Sequence, residues 1–348
     1  MAQKLAAGWA ALYGTLALVW SVTGHGFPYG PGGTRSETSP LRALPAEVGA
    51  PLFAGVLLLA AVLLLIMSGG RPVPRPARIA MLTYLGVVVT ALLVVIPDTS
   101  LLTLTGYLPI LIIGLPFGWP PDIDYSTVFT WTLANQAFAV IGGVLLARAV
   151  LRWQFATSGA CEDCGRPALR GTGSWARWAT YVAAVIPLLY AATRFAWLLG
   201  IPVGLTEDTL RELRESGAVW AGSGLGAFAV VGAILTLGLV QRWGEVFPSW
   251  MPGLAGKRVP IRLATVPATL VAIFVMSASV AFYADPVFFD TLTSDTVAVA
   301  PMLAWPIWSV ALGTATLGYY LRRRPACRKC GPGDTTPGLV SRPQAGAY

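Results

Sequence analysis

The sequence of 348 residues is 55% hydrophobic and only 11% charged, and it carries a formal net charge of +8. A soluble domain normally has about a quarter charged residues, so this composition excludes an ordinary soluble globular protein and indicates one embedded in a lipid bilayer. The positive charge does not indicate a nucleic-acid partner. The basic residues lie in short loops between apolar segments, where they report membrane topology.

Continuous apolar segments predict the membrane-spanning helices, since about 20 such residues cross the hydrocarbon core. Unbroken segments favour helices over a β-barrel, whose strands would alternate in hydropathy over about ten residues. We therefore predict an all-α integral membrane protein with eight transmembrane helices, at Leu5–Gly24, Pro51–Ser68, Ile79–Pro97, Val128–Leu151, Trp178–Gly200, Ala218–Val240, Leu263–Tyr283 and Val299–Leu321. A further apolar stretch, Leu101–Ile113, is too short to span securely and is expected to be re-entrant or interfacial.

The distribution of charge predicts the orientation of these helices. When the loops are assigned alternately to the two sides, most basic residues fall on one side and most acidic residues on the other. The positive-inside rule then places both termini in the cytoplasm. Arginine far outnumbers lysine, and alanine, glycine, proline and valine are abundant, as in proteins of high-GC bacteria. We expect a multi-pass protein of the bacterial cytoplasmic membrane.

Two Cys-x-x-Cys-Gly segments, Cys161–Gly165 and Cys327–Gly331, contain all four cysteines. Each segment follows a long apolar stretch and an arginine-rich exit, and the first and fifth apolar segments also resemble each other. These matches predict a 4+4 parallel tandem repeat. Residues 1–170 and 171–333 would each form a four-helix repeat ending in a CxxC knuckle, and residues 334–348 would form a disordered tail.

The four cysteines Cys161, Cys164, Cys327 and Cys330 offer four thiolates to one metal ion. Zn²⁺ takes such ligands in a tetrahedral arrangement, and four thiolates usually close the site against catalysis. If the two repeats pack side by side, their knuckles meet, and we expect a structural Zn²⁺ that joins them on the cytoplasmic face. A redox dithiol is the main rival interpretation, although a reducing cytoplasm disfavours stable disulfides. The cysteines could also bind a different metal or no metal at all.

The loop formed by residues 242–260 begins with Arg242-Trp243-Gly244-Glu245 and continues through Phe-Pro, Trp, Pro-Gly-Leu and Arg-Val-Pro motifs. It resembles loops of uncharacterised polytopic membrane proteins of high-GC bacteria. The resemblance implies a membrane protein and no particular activity. We expect the aromatic residues of the loop at the membrane interface and its basic residues near anionic headgroups.

Six polar residues in or near the predicted helices are candidates for a cavity or ligand site: His25, Asp98, Asn135, Gln136, Arg194 and Asp285. His25, the single histidine, is either a proton-handling or ligand residue or an interfacial loop residue. Arg194 either extends toward the headgroups or faces an outer cavity and pairs with Asp98 or Asp285. Asn135 and Gln136 either join helices through hydrogen bonds or line a polar cavity.

Three functions are open at this stage, because the sequence contains no catalytic triad, Walker phosphate loop or dinucleotide-binding motif. The leading hypothesis is a membrane scaffold or binding module for an unknown ligand, held together by the zinc clasp. The second is a transporter or channel for a small solute or lipid, with its site between the repeats. The third is a membrane enzyme that uses His25 and outer carboxylates on a lipid-linked substrate, or the dithiols with a quinone.

Overall fold

The computed structural model of the chain describes residues 1–31, 39–70, 73–114, 116, 129–166, 174–285, 296–325, 327 and 329. The helices in this part are α1 (Ala2–Thr23), α2 (Ala46–Ser68), α3 (Arg75–Thr90), α4 (Thr99–Gly114), α5 (Trp131–Thr157), α6 (Trp175–Leu198), α7 (Glu207–Glu215), α8 (Ala218–Leu237), α9 (Ile261–Tyr283), α10 (Thr296–Leu303) and α11 (Trp305–Arg323). The predicted tail, residues 334–348, lies outside the described residues.

Seven helices in the described part are long and apolar enough to cross a membrane: α1, α2, α3 with its extension to Val95, α5, α6, α8 and α9. The chain is thus all-helical where it is described, with the helices of a multi-pass membrane protein. The predicted eighth span, Val299–Leu321, is not among the seven. It is divided at Ala304 into α10 and α11, where Pro301 and Pro306 remove backbone donors, and the tyrosines and arginines of α11 lower its mean hydropathy.

The ends of α5 show why the predicted bounds differ from the observed ones by several residues. The sequence predicts this helix over Val128–Leu151. It begins at Trp131 because the Thr130 hydroxyl accepts a hydrogen bond from the Leu133 backbone N–H at 3.2 Å, which caps the first turn. It continues past Leu151 to Thr157, because hydropathy falls there without any helix-breaking residue.

α3 ends in a π-helical turn, Ala91–Val95, in which the Ile96 N–H donates to the carbonyl of Ala91 at 2.9 Å. The chain then turns at Pro97, and the Asp98 carboxylate accepts the Ser100 N–H at 2.7 Å as α4 begins. α4 has 16 residues, so it is about 24 Å long, shorter than the hydrocarbon core. It packs against α5 and α9.

The longer helices pack in two groups. α1, α2, α3 and α5 share one apolar core, while α6, α9 and α11 enclose a second, with α8 packed against α6. The two groups meet where the π-helical turn of α3 and the neighbouring α4 pack against α9. A third cluster of apolar residues fills this junction, consisting of Leu101, Leu133, Val140 and Phe274.

The bundle has two ends, which we name by the residues found there. At the cysteine end, Arg78 at the start of α3 donates to the carbonyl of Thr157 at the end of α5, next to Cys161. At the opposite end, the Thr132 hydroxyl at the start of α5 donates to the carbonyl of Pro28, which follows α1. Helices therefore alternate in direction, with α3 and α9 running away from the cysteine end and α5 running toward it.

Candidate metal centre

The loop that follows α5 folds into a compact knuckle. The Cys161 N–H donates to the Arg166 carbonyl at 2.8 Å, and the Gly165 N–H donates to the Cys161 carbonyl at 2.7 Å. Gly165 has φ 70°, in the left-handed region that residues with a Cβ rarely adopt. The glycine after the second cysteine is therefore required by the backbone path, which brings Cys161 and Cys164 to one side of the turn.

Three sulfurs converge at this knuckle. The Sγ atoms of Cys161, Cys164 and Cys327 all lie within 4.8 Å of one another, and the Sγ atoms of Cys161 and Cys327 are 3.7 Å apart. Zinc–sulfur bonds of about 2.3 Å in a tetrahedral arrangement would place two sulfurs about 3.8 Å apart. The cluster could hold a metal ion, and the predicted fourth ligand, Cys330, lies outside the described residues.

Backbone amides favour the thiolate form of Cys161. The N–H groups of Asp163 and Cys164 point toward its sulfur, and these hydrogen bonds lower the pKa of the Cys161 thiol. Metal binding requires the thiolate, so this geometry lowers the energetic cost of losing the proton at neutral pH. The donor set of soft sulfurs and the oriented amides both fit Zn²⁺.

The charges between the cysteines of each pair are complementary. Lys329 Nζ, in the second pair, lies 3.3 Å from Glu162 Oε2 and 3.3 Å from Asp163 Oδ2 in the first pair. Arg152, in the last part of α5, also pairs with Asp163. These groups are partly or largely exposed, so their attraction is screened by salt. They orient the two knuckles toward each other and add little to stability.

The Arg322–Arg324 run at the end of α11 anchors three different elements. Arg322 donates to the carbonyl of Leu239, and Arg323 donates to the carbonyls of Glu245 and Val259 at 3.3 Å and 3.0 Å. Arg324 donates to the carbonyl of Cys164 at 3.0 Å. From the sequence, these arginines indicate only the positive side of a membrane. Their role as backbone clamps depends on long-range contacts that no local pattern reveals.

The loop 242–260 forms a hairpin at the same end of the bundle. Val246 and Arg258 make an antiparallel bridge, and the Phe247 N–H donates to the carbonyl of Lys257 at 3.0 Å. The Tyr319 hydroxyl of α11 donates to the carbonyl of Gly244 at 2.6 Å. The hairpin is thus fixed to α11, the helix that leads to Cys327.

His25 and Asp285 both lie at the opposite end, away from the cysteines. His25 is exposed in the turn after α1, with its Nδ1 atom 2.7 Å from the carbonyl of Thr23. Asp285 lies 3.7 Å from Arg42, whose guanidinium also donates to the carbonyl of Ala284 at 2.9 Å. The structure therefore gives Asp285 an arginine from the first helix group as its partner.

Arg194 packs between two aromatic rings of its own helix. Its guanidinium carbon is 4.6 Å from the centre of the Tyr190 ring and 4.1 Å from that of Trp197. The stem of the side chain lies close to Gly226 on α8, where an added Cβ would be 3.3 Å from the Arg194 Cβ. No ion pair to Arg194 is found among the described residues. Cation–π contacts take the place of the acidic partner that one of the two sequence interpretations gave Arg194.

Asn135 belongs to a buried hydrogen-bond network in the first helix group. The Tyr13 hydroxyl donates to Asn135 Oδ1 at 3.0 Å and lies 2.7 Å from the hydroxyl of Tyr29. Asn135 Nδ2 donates to the carbonyl of Trp131 at 2.8 Å. Sequence reasoning missed both tyrosines, because a tyrosine in an apolar helix gives no sign of where its hydroxyl will find a partner.

Gln136 and Asp98 are each only 1% exposed. Both amide atoms of Gln136 and the Oδ2 atom of Asp98 lack a hydrogen-bond partner within the described part of the chain. A shallow cavity of ≈ 370 Å³ lies beside α7 at the opposite end of the bundle, and Arg211 and Arg214 are among the residues that line it. None of Arg194, Asn135 and Gln136 contributes to that cavity.

Comparison of the chain with protein-family models, curated proteins and solved structures gives no significant match.

Proposed function

We propose that this protein is a membrane scaffold or binding module in which one structural Zn²⁺, held by cysteines of both knuckles, joins two helical units. The observation that carries the proposal is the convergence of Cys161 and Cys164 with Cys327, which lies far along the chain. Cys330 would supply the fourth thiolate. A site closed by four thiolates leaves no open position for substrate, so the metal would stabilise the fold.

The metal interpretation is favoured over a redox dithiol by the way the sulfurs are grouped. A redox pair works through the two cysteines of one Cys-x-x-Cys turn. Here a sulfur of the second knuckle approaches two sulfurs of the first, and Lys329 meets Glu162 and Asp163 alongside them. This arrangement favours a shared ion, whose zinc-bound thiolates would tie the two knuckles together.

We also propose that the two units are a 4+4 parallel tandem repeat, with α10 and α11 together forming the eighth span. Contacts support this relation: α1 packs on α2 and α5, as α6 packs on α8 and α11, and α3 packs on α5 as α9 packs on α11. Burial follows the same relation. Cys161 and Cys327 are 166 residues apart.

Three pairs of buried residues near the ends of α5 and α11 have the same separation: Leu146 and Leu312, Ala149 and Ala315, and Trp153 and Tyr319.

The proposed setting is a bacterial cytoplasmic membrane, with the cysteine end and both termini in the cytoplasm. Basic side chains gather at the cysteine end, including Arg78, Arg152, Lys257 and the Arg322–Arg324 run. Positive loops of this kind are retained on the cytoplasmic side. A reducing cytoplasm would also keep the thiols available for metal.

Metal analysis of the purified protein tests the clasp. We expect about one zinc per chain in the wild type and a large loss of zinc in Cys161→Ser and Cys327→Ser variants. Ser158→Ala is a matched control, because Ser158 ends α5 beside the knuckle without contributing a sulfur. A wild-type protein without bound metal, in which all four thiols react freely after purification under reducing conditions, would rule out the clasp.

A labelling experiment tests the proposed orientation in the membrane separately from the proposed metal site. In intact cells, a membrane-impermeant maleimide should leave the cysteines unlabelled, and it should label them after permeabilisation and zinc removal. Trp220→Cys provides the positive control, since Trp220 is 72% exposed near the start of α8 at the opposite end. Labelling of the native cysteines in intact cells treated with a membrane-impermeant zinc chelator would overturn the proposed orientation while leaving the clasp itself in place.

A further inference from the structure

Two buried polar side chains at the junction of the helix groups have atoms without partners. Asp98 and Gln136 are each 1% exposed. Asp98 Oδ1 accepts the Ser100 N–H, but its Oδ2 atom has no partner, and neither Gln136 Oε1 nor Nε2 has one within the described part of the chain. Buried polar atoms in proteins are almost always hydrogen-bonded, and an exception indicates an unseen water or ion. Three such atoms on two side chains call for a shared explanation.

Helix packing places the two residues at similar depths in the bundle. α5 and the π-helical turn of α3 approach closely at Gly143, where an added Cβ would lie 2.5 Å from the Leu93 side chain. Gln136 precedes Gly143 by about 10 Å along α5, and Asp98 follows Leu93 by about 8 Å along the other chain. The two helices run in opposite directions, so both displacements lead toward the opposite end of the bundle.

The surrounding apolar residues show that both side chains border the same junction. Leu133 and Val140 lie on the face of α5 that carries Gln136, and Leu101 lies one turn beyond Asp98 on α4. Together with Phe274 of α9 these leucines and valine form one buried cluster. One turn beyond Phe274, the Ser277 hydroxyl donates to the carbonyl of Pro97 at 2.5 Å, which brings α9 against the residue before Asp98.

Among the described residues, no cationic side chain balances Asp98 at this junction, since no arginine or lysine there pairs with it. The N-terminus of α4 stabilises one carboxylate oxygen, but the carbonyl end of α3 points at the same place and contributes negative potential. An uncompensated carboxylate buried among membrane helices is costly, and such residues usually serve ion or proton pathways.

We propose that Asp98 and Gln136 form a binding site for a monovalent cation, Na⁺ or a proton, between the two helix groups. Asp98 Oδ2 supplies the balancing charge, Gln136 Oε1 a neutral oxygen, and the Ser277 hydroxyl can add a lone pair while it donates to Pro97. Carboxylate, amide and hydroxyl oxygens are the ligands that hard cations prefer. Unwound segments and the carbonyl ends of broken helices hold Na⁺ or protons in membrane transporters, and the turn at Pro97 has this form.

Thermal unfolding of the full-length protein in detergent tests the site. Wild type is compared in NaCl and in N-methylglucamine chloride at equal ionic strength and at pH 8, with the zinc content held constant. A bound Na⁺ raises the unfolding midpoint as the logarithm of its concentration, by about 5 °C at a hundredfold excess over the dissociation constant. Asp98→Asn, which keeps the oxygen that caps α4, should abolish this dependence.

Further variants define the outcome. Gln136→Met keeps the side-chain length and should weaken the apparent Na⁺ affinity about tenfold, as expected for the loss of one neutral ligand. Asp285→Asn, at an acid that follows the end of α9 and is paired with Arg42, should behave as wild type.

The same variants identify the occupant. If the unfolding midpoint of the wild type does not change with Na⁺ concentration but falls relative to that of Asp98→Asn as the pH rises, the site holds a proton. If wild type and Asp98→Asn respond identically to both Na⁺ and pH, the proposal is overturned. Neither outcome depends on the cysteine clasp, since zinc content is measured in every sample.

Discussion

Lys329 Nζ lies 3.3 Å from Glu162 Oε2, and this contact joins the residues between the cysteines of one knuckle to those of the other. The side chain of Asp163 takes part at the same distance. The acidic residues between the cysteines of the first turn and the basic residues between those of the second turn are therefore explained together: they attract each other where the two knuckles meet. They favour the docking of unlike knuckles within one chain over the pairing of like knuckles between chains.

Reversal of this charge should loosen the clasp. In Lys329→Glu the second knuckle would face Glu162 and Asp163 with like charge, so zinc should transfer to a chelator up to about tenfold faster than in wild type at low salt. The difference should shrink at high salt, because the groups are exposed. The rate is measured with a chromogenic chelator. The exchange variant Glu162→Lys/Lys329→Glu should recover the wild-type rate, and equal rates in wild type and Lys329→Glu at low salt would contradict the docking role.

The Cys161 thiol should be more acidic than an ordinary cysteine thiol in the metal-free protein. The amides of Asp163 and Cys164 lower its pKa from the ordinary value of 9.0. A lowered pKa in the folded state gives a contribution to stability that is fully present above the unfolded pKa and is lost as the pH falls through the folded value. Alkylation by iodoacetamide, followed by mass spectrometry across pH, should show Cys161 reaching half its maximal rate below pH 9.0.

A conservative variant identifies the cause of that shift. Asp163→Asn removes the carboxylate but keeps the backbone N–H, so the reactivity profile of Cys161 should stay displaced to low pH. A return of the profile to that of an unfolded cysteine peptide would show that the knuckle amides do not hold the thiolate.

Arg323 should control access to the 242–260 hairpin. Its guanidinium donates to the carbonyls of Glu245 and Val259, one on each strand of the hairpin. Arg323→Gln should release the base of the hairpin, and limited trypsin digestion should cut after Lys257 or Arg258 several times faster than in wild type. Arg242→Gln is the matched control, because Arg242 is exposed at the start of the same loop. An unchanged cleavage rate in Arg323→Gln would show that the bridge at Val246 keeps the hairpin closed without Arg323.

Gly142 is required by the packing of Trp9. A Cβ at this position would overlap the indole ring, which is buried against Tyr13 and Phe138. Gly142→Ala should therefore lower the free energy of unfolding by about 1–3 kcal/mol, despite the better helix propensity of alanine. Gly313→Ala, where an added Cβ meets nothing within 4 Å, should be neutral or stabilising. Equal stability of the two variants in detergent unfolding would show that Trp9 can move aside.

Local pattern predicted the helical segments and the knuckle turns, because both depend on short stretches of sequence, whereas the meeting of the two knuckles was predicted from the proposed repeat. Apolar runs of sufficient length specify a spanning helix wherever they occur. The Cys-x-x-Cys-Gly spacing likewise defines a knuckle without reference to the rest of the fold. The interruption at Ala304 was missed because hydropathy continues smoothly across it, while the helix depends on backbone donors that Pro301 and Pro306 lack.

The polar residues within the helices could be recognised from the sequence, but their partners could not. Asn135 and Gln136 are neighbours in the chain and lie on different faces of α5. One face meets the hydroxyl of Tyr13, and the other borders the junction with Asp98. The rotation of α5 decides which face meets which helix, and that rotation is set by close contacts such as the one at Gly143. Arg194 similarly contacts aromatic rings. The sequence spacing alone does not show whether an arginine at this position contacts aromatic rings or an acidic side chain.

The network around Tyr13 should be a measurable part of the stability of the first helix group. Its hydroxyl joins Tyr29, on the segment after α1, to Asn135 on α5. Tyr13→Phe would leave two buried groups without this partner, so the cost should be about 1–2 kcal/mol, above the average of about 0.6 kcal/mol for a hydrogen bond between membrane helices. Tyr181→Phe, at a tyrosine that is 45% exposed, is the control and should change little. Reversible unfolding in mixed detergent gives both values, and a cost for Tyr13→Phe no larger than for Tyr181→Phe would show that the hydroxyl network does not stabilise the fold.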